Sequence, residues 1–517
     1  MSASIKTFLV MLLILPILLA ISTQVDDDYT APIIVVVLIL GFGFKQLVAS
    51  RVRFDAFLLG AVGLGYVVGN RGFAAIGPSA SLPLFVGEIT MVVCLIYMVG
   101  QQIIGHEKFM PRFVLSRLLL AYLVYAGIRL FFNAETYGVM AIRDSAMVYY
   151  ALFFFIAYQA GQDDDSRRFF ERTLTKAIIL LIPTGLVTRF APGIYDYVAL
   201  RGIPIIYQKG DLVGIFCAMG AVILYCFSFR SRWPRFLNFC SAMTIALLLL
   251  LGARAGLVAL LAPMAFLAIA RMNRLVVYLA AILVAAVIGT LIYVQATRTE
   301  AANLEVYNLY AKYLAILDPN NEFDYESNAT GMSSAQNNQF RLVWWKTVIE
   351  DTAEHSPWVG LGFGYDLTEH FMQVYYGSLV QEASEVRSPH SYFVSVFGRL
   401  GVLGLLFLLT ISYYLLRGCF HAAIAVRHGH GDRHRLAMWL GALSIFVGAT
   451  FGVVLEGPMG GILFWSLLGM ANVYDQRALA EERHAAELEA LSLPPVGQRV
   501  ERPDWGRPVP AGLHHRT

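Results

Sequence analysis

Apolar runs long enough to carry a helix across a hydrocarbon core recur from one end of this chain to the other, and they decide which solvent it folds in. Blocks such as Ile33 to Leu40 and Ala246 to Leu251 are continuously apolar, whereas a transmembrane β-strand alternates apolar and polar residues over about ten positions. Helices therefore do the spanning, since a helix satisfies its own backbone hydrogen bonds in lipid. Composition agrees: of 517 residues, 57% are hydrophobic and 15% charged, against about 25% charged in soluble domains. Cys94, Cys217, Cys226, Cys240 and Cys419 lie in or beside apolar segments with no C-x-x-C pair, which argues against a disulfide scaffold or a thiolate metal site.

Read in order, the runs give about fourteen spans, near Thr7–Ile21, Pro32–Val48, Phe54–Val68, Leu82–Val99, Phe113–Phe132, Ser145–Ala160, Ala177–Phe190, Leu212–Ser228, Phe236–Leu251, Leu257–Ala270, Leu275–Val294, Tyr392–Leu416, Leu436–Val454 and Ile462–Val473. The first is read as an uncleaved helix. A cytoplasmic N-terminus then puts Arg51 and Arg53, Lys108 and Arg112, Arg167 to Lys176, Arg230 to Arg235, Arg271 and Arg274, and Arg417 to Arg435 on the cytoplasmic side, as the positive-inside rule requires. The opposite loops carry Asp26, Asp27 and Asp28 and the long acidic stretch from Gln295 to Pro389. This divides the chain into an N-terminal transmembrane bundle (1–294), an outer loop domain (295–389), C-terminal transmembrane helices (390–474) and a cytoplasmic tail (475–517). The tail begins as a charged helix, with Arg477/Glu481 and Arg483/Glu487 at i,i+4 spacing, and ends proline-rich and partly disordered. Asp163, Asp164 and Asp165 read as a solvated loop.

The informative residues break the charge rule. Arg71, Arg129, Arg143, Arg189, Arg201, Lys209, Arg254, Arg341 and Arg387 all fall at or near the outer face. An arginine near the end of a span costs a few kcal/mol unless it snorkels or finds a partner. Converging arginines point to an anionic ligand at the outer surface, and guanidinium grips phosphate bidentately. For each residue alone a second reading stands: it snorkels to lipid phosphate, or pairs locally, as Arg143 would with Asp144 or Glu135. Arg254 lies in Gly252-Ala253-Arg254-Ala255-Gly256, a break between apolar helices whose small residues allow close approach and aim the arginine.

The outer loop carries the richest chemistry. Asn338 to Ile349 reads as an interfacial amphipathic helix with Leu342, Trp345, Val348 and Ile349 near one face. Gly360, Gly362 and Gly364 then alternate in Gly-Leu-Gly-Phe-Gly, either a flexible turn whose N–H groups approach an anion or simply a tight turn. Ser388-Pro389-His390 has the form of an N-cap, a first-position proline and a first-turn histidine. The positive helix end would keep that imidazole neutral and able to accept a proton; otherwise His390 is an interfacial residue without a catalytic task. No Walker loop, H-E-x-x-H or Ser/His/Asp signature is present, and no nucleic-acid partner is expected.

Three ordered pieces resemble the bacterial O-antigen ligase and O-antigen/exopolysaccharide polymerase superfamily: the Gly252–Gly256 break; Arg341-Leu342-Val343-Trp344-Trp345 with Pro357 to Gly364; and Pro389-His390-Ser391-Tyr392 with Gly401-Val402-Leu403-Gly404. Ser391 stands where asparagine is common in that family. The resemblance implies a GT-C-type glycosyltransferase membrane fold with a large helical periplasmic loop, in the bacterial inner membrane. It also implies a polyprenyl (undecaprenyl) diphosphate-linked glycan donor and no metal or other cofactor. Carried over by residue, His390 would deprotonate the acceptor hydroxyl with Arg341 beside it. Arg254 and Arg201 would hold the diphosphate, and Arg143 and Arg387 are further candidates. Ligase and polymerase differ only in acceptor, a lipid A core sugar or another lipid-linked glycan. Membrane lipids and polysaccharide assembly or chain-length-control proteins are the remaining expected partners. The competing class is a lipid-linked oligosaccharide flippase, which predicts basic residues through the midplane rather than clustered at one face.

Overall fold

The computed structural model describes residues 52–76, 85–105, 113–200, 202–297, 307–308, 311, 313, 329–376 and 387–492. The spans expected near Thr7–Ile21 and Pro32–Val48, the residues Arg51, Lys108, Arg112 and Arg201, Asp26 to Asp28, and the proline-rich end of the tail lie outside these residues.

The principal helices are α1 (Phe54–Gly69), α2 (Val86–Gly105), α3 (Val114–Tyr137), α4 (Leu152–Gly161), α5 (Asp164–Phe190), α6 (Gly210–Ser228), α7 (Pro234–Leu251), α8 (Arg254–Ile269), α9 (Arg274–Thr297), α10 (Ala329–His355), α11 (Glu369–Tyr376), α12 (Tyr392–Arg427), α13 (Arg433–Ala449) and α14 (Pro458–Ser492). Among the described residues the strand content is one small antiparallel hairpin, Ala199–Leu200 with Ile203–Pro204. Among the described residues six helices, α2, α3, α5, α6, α7 and α12, are long and apolar enough to cross a membrane, with a seventh if the bent pair Val139–Tyr149 plus Leu152–Gly161 is one span. Helices α1, α8 and the first part of α9 are apolar but shorter. The protein is an all-α polytopic membrane protein.

Helix α6 is the axis of the packing: 89% of its apolar stretch is buried, against α7, α8 and α13. Helix α3 is 28% buried over its apolar stretch and leaves Phe131 and Phe132 exposed. Large side chains turned outward on a spanning helix mark the lipid-facing surface. The first compact unit ends at Val473, and a second begins at Tyr474 with the charged end of α14.

Four local readings change. Asp163 to Asp165 is the start of α5 rather than a loop: Asp163 accepts from the Ser166 N–H at 2.8 Å, and Arg167–Asp164 and Arg168–Asp165 pair at i,i+3. Carboxylates fit there because they satisfy orphan N–H groups and complement the helix dipole. The span expected through Val454 ends as helix at Ala449. On α10 the buried face is Trp344 and Val348, packed on Leu367, Phe371 and Val394, while Leu342 and Ile349 are exposed. Trp344 takes the core position because it stacks on Phe371, ring centroids 5.0 Å apart, and donates Nε1–H to the Leu367 carbonyl at 3.0 Å.

Finally, α12 is broken. Gly401 has φ 64° and ψ −161° in the middle of the spanning sequence. A break in a spanning helix strands backbone polar groups in lipid, which costs several kcal/mol per group unless each is paired. The segment Pro357–Gly362 pairs them: Leu361 N–H donates to the Gly398 carbonyl (2.7 Å) and Gly362 N–H to the Arg399 carbonyl (3.1 Å). Val402 and Leu403 donate in return to the carbonyls of Pro357 (2.8 Å) and Trp358 (3.2 Å). Tyr125 of α3 caps the Leu400 carbonyl at 2.9 Å. The approach is so close that a Cβ on Gly360 would lie 2.4 Å from the Arg399 and Leu400 backbone, and one on Gly401 2.5 Å from that of Trp358 to Gly360.

Candidate active site

Arg254 opens α8. Gly252 ends α7 in the left-handed conformation that glycine adopts without strain, and Gly256 lets α8 press against the Gly214 backbone of α6. The small residues thus fix the arginine's position. Arg254 donates to the Asn338 side-chain oxygen at 3.1 Å, and Arg341, one turn further along α10, donates to the Phe451 carbonyl at 2.9 Å. Both line a cavity of about 330 Å³ with Asp211, Ala255, Val258, Asn337, Asn338, Leu342, Trp345 and Phe451. Burial lowers the pKa of Arg341 somewhat, with Asp211 acting against it.

His390 adjoins this group. Helix α12 starts at Tyr392 with Ser391 as N-cap, so His390 lies just before the helix rather than in its first turn. It is a non-glycine residue at φ 57°, a conformation that costs roughly 1–2 kcal/mol. Its Nδ1 is 3.0 Å from the Ser388 carbonyl. A carbonyl only accepts, so Nδ1 carries the proton and Nε2 is left as a proton acceptor. Trp345 donates to the Pro389 carbonyl at 2.6 Å and pins the residue before it. Burial pushes the His390 pKa down to about 4, assisted by the positive charges of Arg341 and Lys209. The expected neutrality thus has burial as its first cause and the neighbouring cations as its second.

The remaining candidates are placed elsewhere. Arg387 bonds Asp366 at 3.2 Å and the Gly364 carbonyl at 2.6 Å, with Asp144 3.9 Å away. Asp144 is held at 2.6 Å by Arg399, a buried arginine of α12, and so is engaged by a residue other than its neighbour Arg143. Arg143 is exposed. Gly360, Gly362 and Gly364 all have positive φ, and the N–H groups along this loop are taken by the chain itself. Besides the bonds to α12, Phe363 N–H donates to Asn133 (3.1 Å), Gly364 N–H to Asp144 (3.0 Å), and the Gly360 carbonyl accepts from Arg129 (3.0 Å). Of the two readings of the glycine loop, the tight turn describes this geometry.

Asp211, Asn337, Asn338 and Phe451 join the cavity without any sequence signal that singled them out. Trp345 was visible only as part of a helix face, and Lys209 only as one outer basic residue among nine.

The site thus combines a half-buried histidine whose Nε2 is left as acceptor with a pocket lined by two arginines, within a bundle of apolar helices. Residues 239–409 match the family model of the O-antigen ligases. Over this third of the chain the protein is similar to the O-antigen ligases. No curated protein matches the chain.

Proposed function

We propose that the protein is a glycosyltransferase that moves glycan from an undecaprenyl diphosphate carrier to a sugar hydroxyl at the periplasmic face of the bacterial inner membrane. In this reading it adopts a GT-C-type fold of about fourteen spans with both termini cytoplasmic, divided at 294, 389 and 474. The observation that carries the proposal is the presence of Arg254 and Arg341 in one cavity, with His390 close enough to Arg341 to feel its charge. The acceptor hydroxyl oxygen forms a bond to the anomeric carbon as the bond from that carbon to the diphosphate oxygen breaks. His390 Nε2 takes the hydroxyl proton, and the bond's electron pair leaves with polyprenyl diphosphate. Arg254, Arg341 and, from the family resemblance, Arg201 stabilise the charge that grows on the leaving group, fixed cations doing what a metal ion does in other transferases. A single displacement inverts the anomeric centre.

The test is purified protein in lipid, given polyprenyl-diphosphate oligosaccharide without metal or nucleotide, with glycan length and released polyprenyl diphosphate as readouts. Longer chains that vanish in His390→Ala identify a polymerase, and transfer only after a lipid A core acceptor is added identifies a ligase. Donor crossing the bilayer without transfer to any acceptor would overturn the proposal in favour of a flippase.

A further inference from the structure

The segment Phe451–Gly457, between α13 and α14, touches the site at two points. At its start the Phe451 carbonyl accepts from Arg341 at 2.9 Å. Near its end Glu456 Oε1 accepts from Ser395 Oγ of α12 at 2.8 Å, and the same carboxylate takes a hydrogen bond from Ser388. The two serine hydroxyls are themselves 3.3 Å apart. Ser388 in turn holds His390 twice: its carbonyl fixes the ring through Nδ1 (3.0 Å), and its Oγ lies 3.4 Å from the His390 N–H, which points at it. A chain of hydrogen bonds thus runs from Glu456 through the Ser388 hydroxyl to the His390 main-chain N–H, while the carbonyl of the same serine holds the imidazole. It reaches a residue in the left-handed region, where backbone conformation persists only if the surroundings over-determine it.

We propose that Glu456 is a positioning residue for the base, acting through Ser388 to hold His390 in the geometry that presents Nε2 to the acceptor. This rests on the glycosyltransferase reading above. The other charged groups near the carboxylate do not account for its presence. Arg399 is already matched by Asp144 at 2.6 Å and donates also to the Tyr365 carbonyl at 3.1 Å, so Glu456 is not required as its counter-ion. Tyr392 is the remaining titratable neighbour, and its hydroxyl donates to the Met147 carbonyl at 2.8 Å. What Glu456 does alone is accept from two hydroxyls at once. An amide in its place has a donor end as well as an acceptor, so one serine must turn away.

The experiment compares full-length protein in lipid nanodiscs carrying no substitution, His390→Ala, Glu456→Gln, Glu456→Ala, Ser388→Ala and the double substitution Glu456→Gln/Ser388→Ala. Glu456→Gln and Ser388→Ala each lower kcat by about 10- to 100-fold, the scale of a misplaced catalytic group, while the donor KM holds because Arg254 and Arg341 are untouched. The double variant is no slower than its slower parent, since both changes cut the same chain. If Glu456→Ala fails to fold, the near-isosteric Gln variant and Ser388→Ala still decide. Full kcat in Glu456→Gln, a rise in KM alone, or effects that multiply in the double variant would each overturn the proposal, provided the unsubstituted protein transfers glycan and His390→Ala does not. If the unsubstituted protein transfers nothing, the glycosyltransferase reading itself fails, and this inference falls with it.

Discussion

Arg341 and Arg387 belong to the same outer segment in sequence, yet the protein treats them in opposite ways. The Arg341 guanidinium is held by a backbone carbonyl and lines a cavity. Arg387 is held by Asp366, and Arg399, close to it, by Asp144. Neutral acceptors orient a cation without cancelling it, whereas carboxylates orient and cancel together. The first arrangement holds Arg341 without a direct ion pair, Asp211 being on the same cavity wall, and the second spends its charge on holding the loop to the spanning helices. An arginine's task is therefore decided by the chemistry of its partners more than by its depth in the membrane.

That contrast can be broken in several places. The largest effect belongs to the cancelled set. Arg399→Ala strands Asp144 and is expected to destabilise the fold by about 3–5 kcal/mol, as breaking a buried ion pair does, seen as a lowered thermal midpoint in detergent. Pairing it with Asp144→Asn should restore part of the loss. Arg341→Ala should do the reverse: kcat/KM for the donor falls by roughly 10²–10³, the loss typical of one transition-state charge stabiliser, while the melting midpoint holds. A collapse in stability there would place Arg341 with the structural arginines.

The pH response follows from burial first and from the neighbouring cations second. His390 lies at about 4 in the free protein against an ordinary 6.5, through burial and then Arg341 and Lys209. The acid limb of kcat/KM, which reports free enzyme, should accordingly fall near pH 4. The limb of kcat should lie higher, because bound diphosphate offsets the two cations, and Arg341→Ala should raise the free-enzyme limb in the same direction. The linkage has a definite sign: between pH 6.5 and 4 the unfolded chain binds more protons at this residue than the folded one, so folded stability declines as pH drops through that window and levels off below it. Identical pH profiles for kcat and kcat/KM would remove the cations from the account. Smallest is Arg143→Ala, an exposed change expected within about 0.5 kcal/mol in stability and silent in the transfer assay.

Much of this was legible in the amino-acid order. Continuous apolar blocks dictate spanning helices, and the break at Gly252 to Gly256 is where the structure turns from α7 into α8 and sets Arg254. Arg341 stands out because a basic residue at the outer face needs a reason, and His390 because Ser388-Pro389 places it at the start of a spanning segment. The failures have physical causes too. Periodicity finds a helix but does not choose between adjacent faces, and so Trp345 was assigned the packing role that Trp344 holds. Arg387 looked like a ligand for phosphate because its acids, Asp144 and Asp366, come from separate parts of the chain and meet it only after folding. Glu456 was silent for the same reason: its serines precede it by sixty residues or more.

The exchange of hydrogen bonds between Pro357–Gly362 and the broken α12 works as a molecular ruler. Four bonds join Pro357, Trp358, Leu361 and Gly362 to Val402, Leu403, Gly398 and Arg399, so the interval on each side is set by the other. Side chains along the interval can vary where they point outward, but its length cannot: one inserted residue would leave donors and acceptors facing lipid unmatched. Descendants of this sequence are free to lengthen the outer loop before Pro357 or after Gly364. They are bound to keep the count between them.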